Sequence, residues 1–179
     1  MLYHEPDKRW EVWECPNYEI YLQKYLVKGD FDAKVPKDIV AAFTTIEFLI
    51  AHAYYRYEMY DEALNKTLRT IEMAVKIRCK QLKIDFKYEV VKKNGKKENR
   101  DKDFNRLNQD LIKKEIGKEL EYALEWVRFL RNIQMHPKMN SFMGGMSQRA
   151  ITKCVEIINL LFAENENITK WNVRVKNPF

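Results

Sequence analysis

Ile39, Phe43, Ile46, Ile50, Ala53 and Tyr57 follow one another at spacings of three and four, and a rhythm of mostly three or four returns in three later segments. That spacing is the period of an α-helix, so each segment carries an apolar stripe that must be covered. The second stripe is Leu64, Leu68, Ile71, Val75, Cys79 and Leu82. The third is Leu107, Leu111, Ile116, Leu120, Ala123, Val127 and Leu130, and the last is Ala150, Ile151, Cys154, Ile158, Leu161 and Phe162. Stripes of this length are buried most simply against one another. The expected fold is therefore all-α, an antiparallel bundle of four to five helices.

Local signals set the expected boundaries. Pro36 suits the start of the first long helix, with Asp38 at its positive end. Asp61 reads as the cap of the second and Ser147 as the cap of the last, while the third is expected to run unbroken from about Phe104 to Met135. Length makes residues 1–179 a single domain. It divides into an N-terminal arm (1–35), a helical core (36–165) and a tail (166–179).

The arm mixes Trp10, Val12, Tyr18, Ile20, Tyr21, Leu22, Tyr25 and Leu26 with charges. It suggests a short helix at 18–27 and a turn at Gly29-Asp30. Aromatics this dense either stack on nucleobases or pack into a core. Between the second and third helices, Ile84, Phe86, Tyr88 and Val90 alternate as a strand does, and Asn94-Gly95 is a turn signal. The limb after the turn lacks matching apolar residues, so this insertion, at about 83–103, reads equally as a hairpin or a loop. Over 83–106 nine Lys and Arg face five Asp and Glu, which places +4 of the net +6 here. A basic segment of this kind either binds a phosphate backbone or is a solvated insertion. In the tail, Trp171, Val173 and Val175 alternate with polar residues and suggest a short strand.

Composition narrows the function. With 46% hydrophobic and 32% charged residues the chain has the balance of a folded soluble domain. No apolar run approaches membrane-spanning length, and residues 1–7 have no signal-peptide core, so a cytoplasmic protein without membrane association is expected. Cys15, Cys79 and Cys154 are odd in number and far apart, which favours reduced core thiols. The five glycines form neither a P-loop nor a dinucleotide fingerprint, no His-Glu-x-x-His occurs and no cysteine pair suits zinc. No metal and no cofactor are expected. His52 lies within the first helix and reads as a structural residue. Glu72, beside the second stripe, is either an accessory acid or a salt-bridge partner.

The richest chemistry lies in residues 128–137, Arg-Phe-Leu-Arg-Asn-Ile-Gln-Met-His-Pro. Pro137 has no N–H and disfavours the α conformation at His136, so the third helix should stop at or just before the histidine. On an unbroken helix Arg131 and His136 would lie about 140° apart, so they converge only if the helix ends there. Asn132 would sit beneath the histidine, and Arg128, one turn earlier than Arg131, would extend the positive patch. Such a set suits phosphate chemistry. Histidine exchanges a proton near neutrality, and arginine stays charged and grips phosphate in a fork.

Arg131, Asn132 and His136 at the end of the third helix, followed by a loop with Gly144-Gly145 and a last apolar helix, resemble the HEPN superfamily. HEPN stands for higher eukaryotes and prokaryotes nucleotide-binding domain. The helix pattern of residues 36–165 resembles the family as a whole, whereas the motif itself is these few residues. Many members are metal-independent ribonucleases. The resemblance implies an endoribonuclease in which the RNA 2′-hydroxyl attacks, with His136 as general acid or base and Arg131 steadying the phosphate. Asn132 would orient the phosphate or the imidazole, and Arg128 and Lys138 would bind substrate. It further implies a homodimer with two motifs facing one cleft, and a toxin or anti-phage defence factor acting on RNA. Some members carry a tyrosine two residues after the histidine, which a partner nucleotidyltransferase modifies. Lys138 stands there instead, so an antitoxin or regulatory protein would have to act in another way. The alternatives are a non-catalytic HEPN-like module that binds RNA, nucleotide or protein, and a dimerising scaffold in which Arg131 caps carbonyls and His136 stops a helix.

Overall fold

The computed structural model describes residues 4–114, 117–135 and 146–163. These form seven helices and one two-stranded sheet. Two short helices, α1 (Arg9–Val12) and α2 (Tyr18–Tyr25), precede α3 (Lys37–His52) and α4 (Met59–Gln81). The hairpin strands β1 (Lys87–Val91) and β2 (Lys97–Asp101) lead into α5 (Phe104–Lys114), α6 (Gly117–Met135) and α7 (Met146–Phe162). The expected tail strand lies outside the described residues.

The centre is α4, which packs against α3, α5, α6 and α7. A helix surrounded in this way needs buried residues on all sides, and α4 has Ala63, Leu64, Leu68, Ile71, Ala74, Val75 and Cys79 below 3% exposure. Thr67 and Thr70 are buried too. Each turns its hydroxyl back onto its own helix, donating to the carbonyls of Ala63 at 2.7 Å and Lys66 at 2.9 Å, so neither leaves a polar atom unpaired. The expected stripes of α3 and α7 are likewise buried throughout.

The N-terminal arm packs as core. Trp10 is 1% and Tyr21 0% exposed, which removes both from any base-stacking surface. Their polar ends finish α3, whose last carbonyls have no partner within the helix. The Trp10 indole donates to Ala53 O at 3.1 Å and the Tyr21 hydroxyl donates to Ile50 O. A charged clamp holds the same corner. Asp7 accepts from Arg9 Nε and Nη2, both at 2.8 Å, and from the Tyr57 N–H at 3.1 Å, and Arg9 reaches Glu58 at 2.7 Å. Gly29 is more than a turn residue. A Cβ there would stand 2.6 Å from the rings of both Phe31 and Phe43, while its N–H donates to Glu47 Oε1 at 2.7 Å.

Several expected boundaries move. The helix read as continuous from 104 to 135 is two helices, because α5 and α6 share a packed face that the halves of one straight rod would not have. Gly117, a poor helix former, opens α6. Asp61 and Ser147 are not observed as helix caps. Asp61 lies inside the first turn of α4, whose N-cap position is Glu58, and Ser147 lies inside α7 as described. Both are buried, and the Ser147 hydroxyl donates to Asp61 Oδ1 at 3.0 Å, joining the two helices. Ile84 belongs to a helix stop and not to the strand. Its N–H bonds Cys79 O at 2.9 Å and the Lys83 N–H bonds Lys80 O at 3.2 Å, a Schellman arrangement with Lys83 left-handed at φ 53°.

The basic insertion is a hairpin. Strand β1 pairs antiparallel with β2 in the register Lys87↔Asp101 to Val91↔Lys97, and Gly95 turns the chain at φ 75°. Cross-strand ion pairs take the place of apolar ones, with Lys97 2.9 Å from Glu89 and Lys92 against Glu98. The three cysteines are free and buried, as expected.

Candidate functional site

Between α4 and α6 lies a cleft of about 170 Å³ lined by Asn65, Leu68, Arg69 and Glu72 from α4 and Arg131 and Gln134 from α6. Its floor is apolar, since Leu68 is 2% exposed. The walls come from helix periodicity. On α4, Asn65, Arg69, Glu72 and Lys76 recur at four, three and four residues, a polar stripe running beside Leu64, Leu68, Ile71 and Val75. On α6, Arg131 and Gln134 follow Val127 and Leu130 onto the side that meets the bundle.

One ion pair organises the cleft. Arg131 Nε stands 3.3 Å from Glu72 Oε2, and the other oxygen of Glu72 forms an ion pair with Lys76 Nζ at 3.0 Å. Both side chains are partly shielded, Glu72 at 22% and Arg131 at 37% exposure. Holding a guanidinium by Nε leaves its two terminal nitrogens for a second acceptor, and they form the fork that fits a phosphate. Arg69, which is exposed, adds a second cation to the same lining. Among the described residues the buried Gln134 amide nitrogen has no hydrogen-bond acceptor, an unsatisfied donor at the wall.

The motif residues divide. Arg131 lies in the cleft, and its ion pair with Glu72 is the salt-bridge alternative read for that glutamate. Asn132 is exposed, and Arg128 stands outside the lining with its guanidinium 3.9 Å from Glu125, one turn back on α6. His136 and Lys138 lie outside the described residues. Arg69, Asn65 and Gln134 were not singled out in the sequence, although the polar stripe of α4 was visible there as a period-matched row. His52 accords with a structural role, its Nδ1 2.9 Å from Phe48 O and its ring on the Phe48 ring. Among the described residues no group of His, Cys, Asp and Glu has the arrangement of a metal site, and no helix is long and apolar enough to cross a membrane.

Helix α6 has a second apolar side. Tyr122, Trp126, Phe129 and Ile133 fall within a sector of about 60° when wound at 100° per residue. Tyr122 is 77% and Phe129 61% exposed, whereas Val127 and Leu130 on the inner side are covered.

Comparison with known proteins finds no matching family model, no matching curated protein and no matching solved structure.

Proposed function

We propose that this chain is a HEPN-type, metal-independent endoribonuclease whose catalytic residues are Arg131, Asn132 and His136, with Arg128 and Lys138 as substrate contacts. The observation that carries the reading is the Glu72–Arg131 pair. It fixes one edge of a guanidinium at the mouth of a cleft and leaves the other for a phosphate, five residues before the histidine. Charge growing on the phosphate during 2′-hydroxyl attack would be met by a cation already oriented, which is the economical way to stabilise a transition state. His136 would move the proton, and the bundle would be of the HEPN kind. The exposed Tyr122 and Phe129 on α6 support a homodimer, since exposed aromatics on one helix face are covered most simply by a second copy. RNA is the substrate, and a toxin or anti-phage role with a separate regulatory protein fits such an activity.

The test is incubation with total RNA and with tRNA in the presence of a chelator, beside Arg131→Ala and His136→Ala proteins of native circular dichroism. Cleavage by the native chain alone, leaving 2′,3′-cyclic phosphate ends, is expected. Cleavage that survives both substitutions removes the assignment.

One observation favours a second reading. Arg131 joins α4 to α6 through Glu72, so it also suits a scaffold or a non-catalytic binding module, where its loss would lower stability and leave RNA untouched. The melting temperature and the cleavage rate of Arg131→Ala separate the two.

A further inference from the structure

The β1–β2 hairpin has no role in the reading above, yet its charge is arranged and not merely abundant. Its turn, residues 92–97, reads Lys-Lys-Asn-Gly-Lys-Lys and contains no acid. The two acids nearest the tip lie on the strands and hold partners there: Glu89 pairs with Lys97 at 2.9 Å, and Glu98 with Lys92 and, at 3.6 Å, with Arg100. Lys92 and Glu98 hold each other closely enough that the carboxyl stays below its ordinary range. Lys93 and Lys96 remain, exposed at the tip and without an ion pair among the described residues.

The base of the hairpin is also held in place. Arg106 of α5 stacks over the Tyr88 ring at 3.6 Å, and the Lys102 N–H donates to Phe86 O at 2.8 Å. Lys102 Nζ, only 14% exposed, meets Asp110 at 2.9 Å, and Asp103 Oδ1 accepts from the Arg106 N–H at 2.9 Å in the first turn of α5. These contacts anchor the base of the hairpin to α5, so its lysines project from a fixed stem.

The kind of partner follows from what the tip lacks. Lysine-rich strand edges resist pairing with another strand, so the hairpin is a poor template for a further β-chain. Three backbone donors of the turn are in use, Lys92 N–H on Lys96 O, Gly95 N–H on Lys92 O and Lys96 N–H on Asn94 Oδ1, which leaves the lysine side chains as the main cationic groups it presents. Four lysines spread over a turn, with neither an aromatic nor an aliphatic side chain among residues 92–97 to insert into bases or lipid, suit a repeating phosphate chain read by charge alone. We infer that the hairpin tip, through Lys93 and Lys96, is a docking arm for the phosphate backbone of RNA. The inference takes RNA as its polyanion from the reading above, but it concerns binding and does not depend on cleavage.

The test uses the full chain and a 2′-O-methyl RNA, which lacks the attacking hydroxyl and stays intact whether or not the protein is a nuclease. Affinity is measured by fluorescence anisotropy across a salt series for the native chain, for Lys93→Gln/Lys96→Gln and for Lys28→Gln/Lys37→Gln. The last pair removes the same charge from exposed positions elsewhere. Lys92 and Lys97 are kept, so the cross-strand ion pairs survive in the hairpin variant.

Loss of two phosphate contacts should weaken binding about tenfold at 0.1 M salt and flatten the log–log salt dependence by about 1.4, with the control near native. No binding by the native chain, equal losses in both variants, or an unchanged salt slope would overturn the inference. So would native RNA affinity in the hairpin variant together with lost binding to phosphatidylserine vesicles, which would make the arm a membrane contact. Cleavage of unmodified RNA, assayed separately, tells failure of the nuclease reading from failure of the arm.

Discussion

Glu72 of α4 holds Arg131 of α6 by its Nε at 3.3 Å, so the helix that carries the motif is tied to the centre of the bundle by the same side chain that faces the cleft. Stability and orientation are thereby coupled in one contact. Glu72→Gln keeps the shape and removes the charge. Its cost to folding should stay below about 1 kcal/mol, as for other half-exposed ion pairs. On the proposed nuclease reading, cleavage should fall roughly 10- to 100-fold as the guanidinium loses its fixed direction. Urea denaturation and initial rates on tRNA measure the two effects, and native rates would mean that Glu72 does not position Arg131.

Acid should loosen the N-terminal corner first. Burial pushes the Asp7 carboxyl up, but hydrogen bonds from Arg9 and from the Tyr57 N–H outweigh it and hold the carboxyl at about 2, below its ordinary 3.8. A carboxylate with a depressed folded pKa contributes stability above its unfolded pKa and loses it as pH falls through the folded one. The window is therefore about pH 4 down to about pH 2. Asp7→Asn should cost about 1 kcal/mol at neutral pH, after allowance for solvent screening at Arg9, and should remove this part of the acid transition. Urea midpoints followed with pH test it, and parallel curves for the two proteins would contradict it.

Lys83 occupies a left-handed position that glycine adopts without steric cost. Lys83→Gly should stabilise the chain by about 0.5–1 kcal/mol, because the Schellman bonds to Cys79 and Lys80 use only backbone atoms. A rise in the thermal midpoint is the expected result.

Gly29→Ala should do the opposite. The new methyl would stand 2.6 Å from both the Phe31 and Phe43 rings, in a packed T-shaped pair. A loss of about 1–3 kcal/mol is expected, as for other overpacked sites. An unchanged urea midpoint would show that the rings give way freely.

The helices were legible because burial leaves a periodic trace. The stripes of α3, α4 and α7 could be read residue by residue, and Asn94-Gly95 marked the turn of the hairpin. What misled was local chemistry with two uses. Aspartate and serine near helix starts look like caps whether they bond their own backbone or, as Asp61 and Ser147 do, each other across the bundle. Lys83 gave no sign of a helix stop because glycine is the residue expected there. Only half of the cleft was legible. Arg131 and Glu72 stood out as a charge in a motif and a charge beside a stripe. That Asn65, Arg69 and Gln134 share their cleft depends on which faces of α4 and α6 meet, and no spacing within one helix records that.

The three buried cysteines make the molecule its own reporter of opening. Burial pushes the Cys79 thiol up to about 11 and the Cys154 thiol higher still, so both are chemically silent while the bundle is closed. Cys15 lies in the arm, whereas Cys79 on α4 and Cys154 on α7 belong to the two packed helices of the bundle. Alkylation of Cys15 should therefore follow the opening of the arm and that of Cys79 and Cys154 the opening of the bundle, so mass spectrometry of the labelled peptides would time the one against the other without introducing any probe.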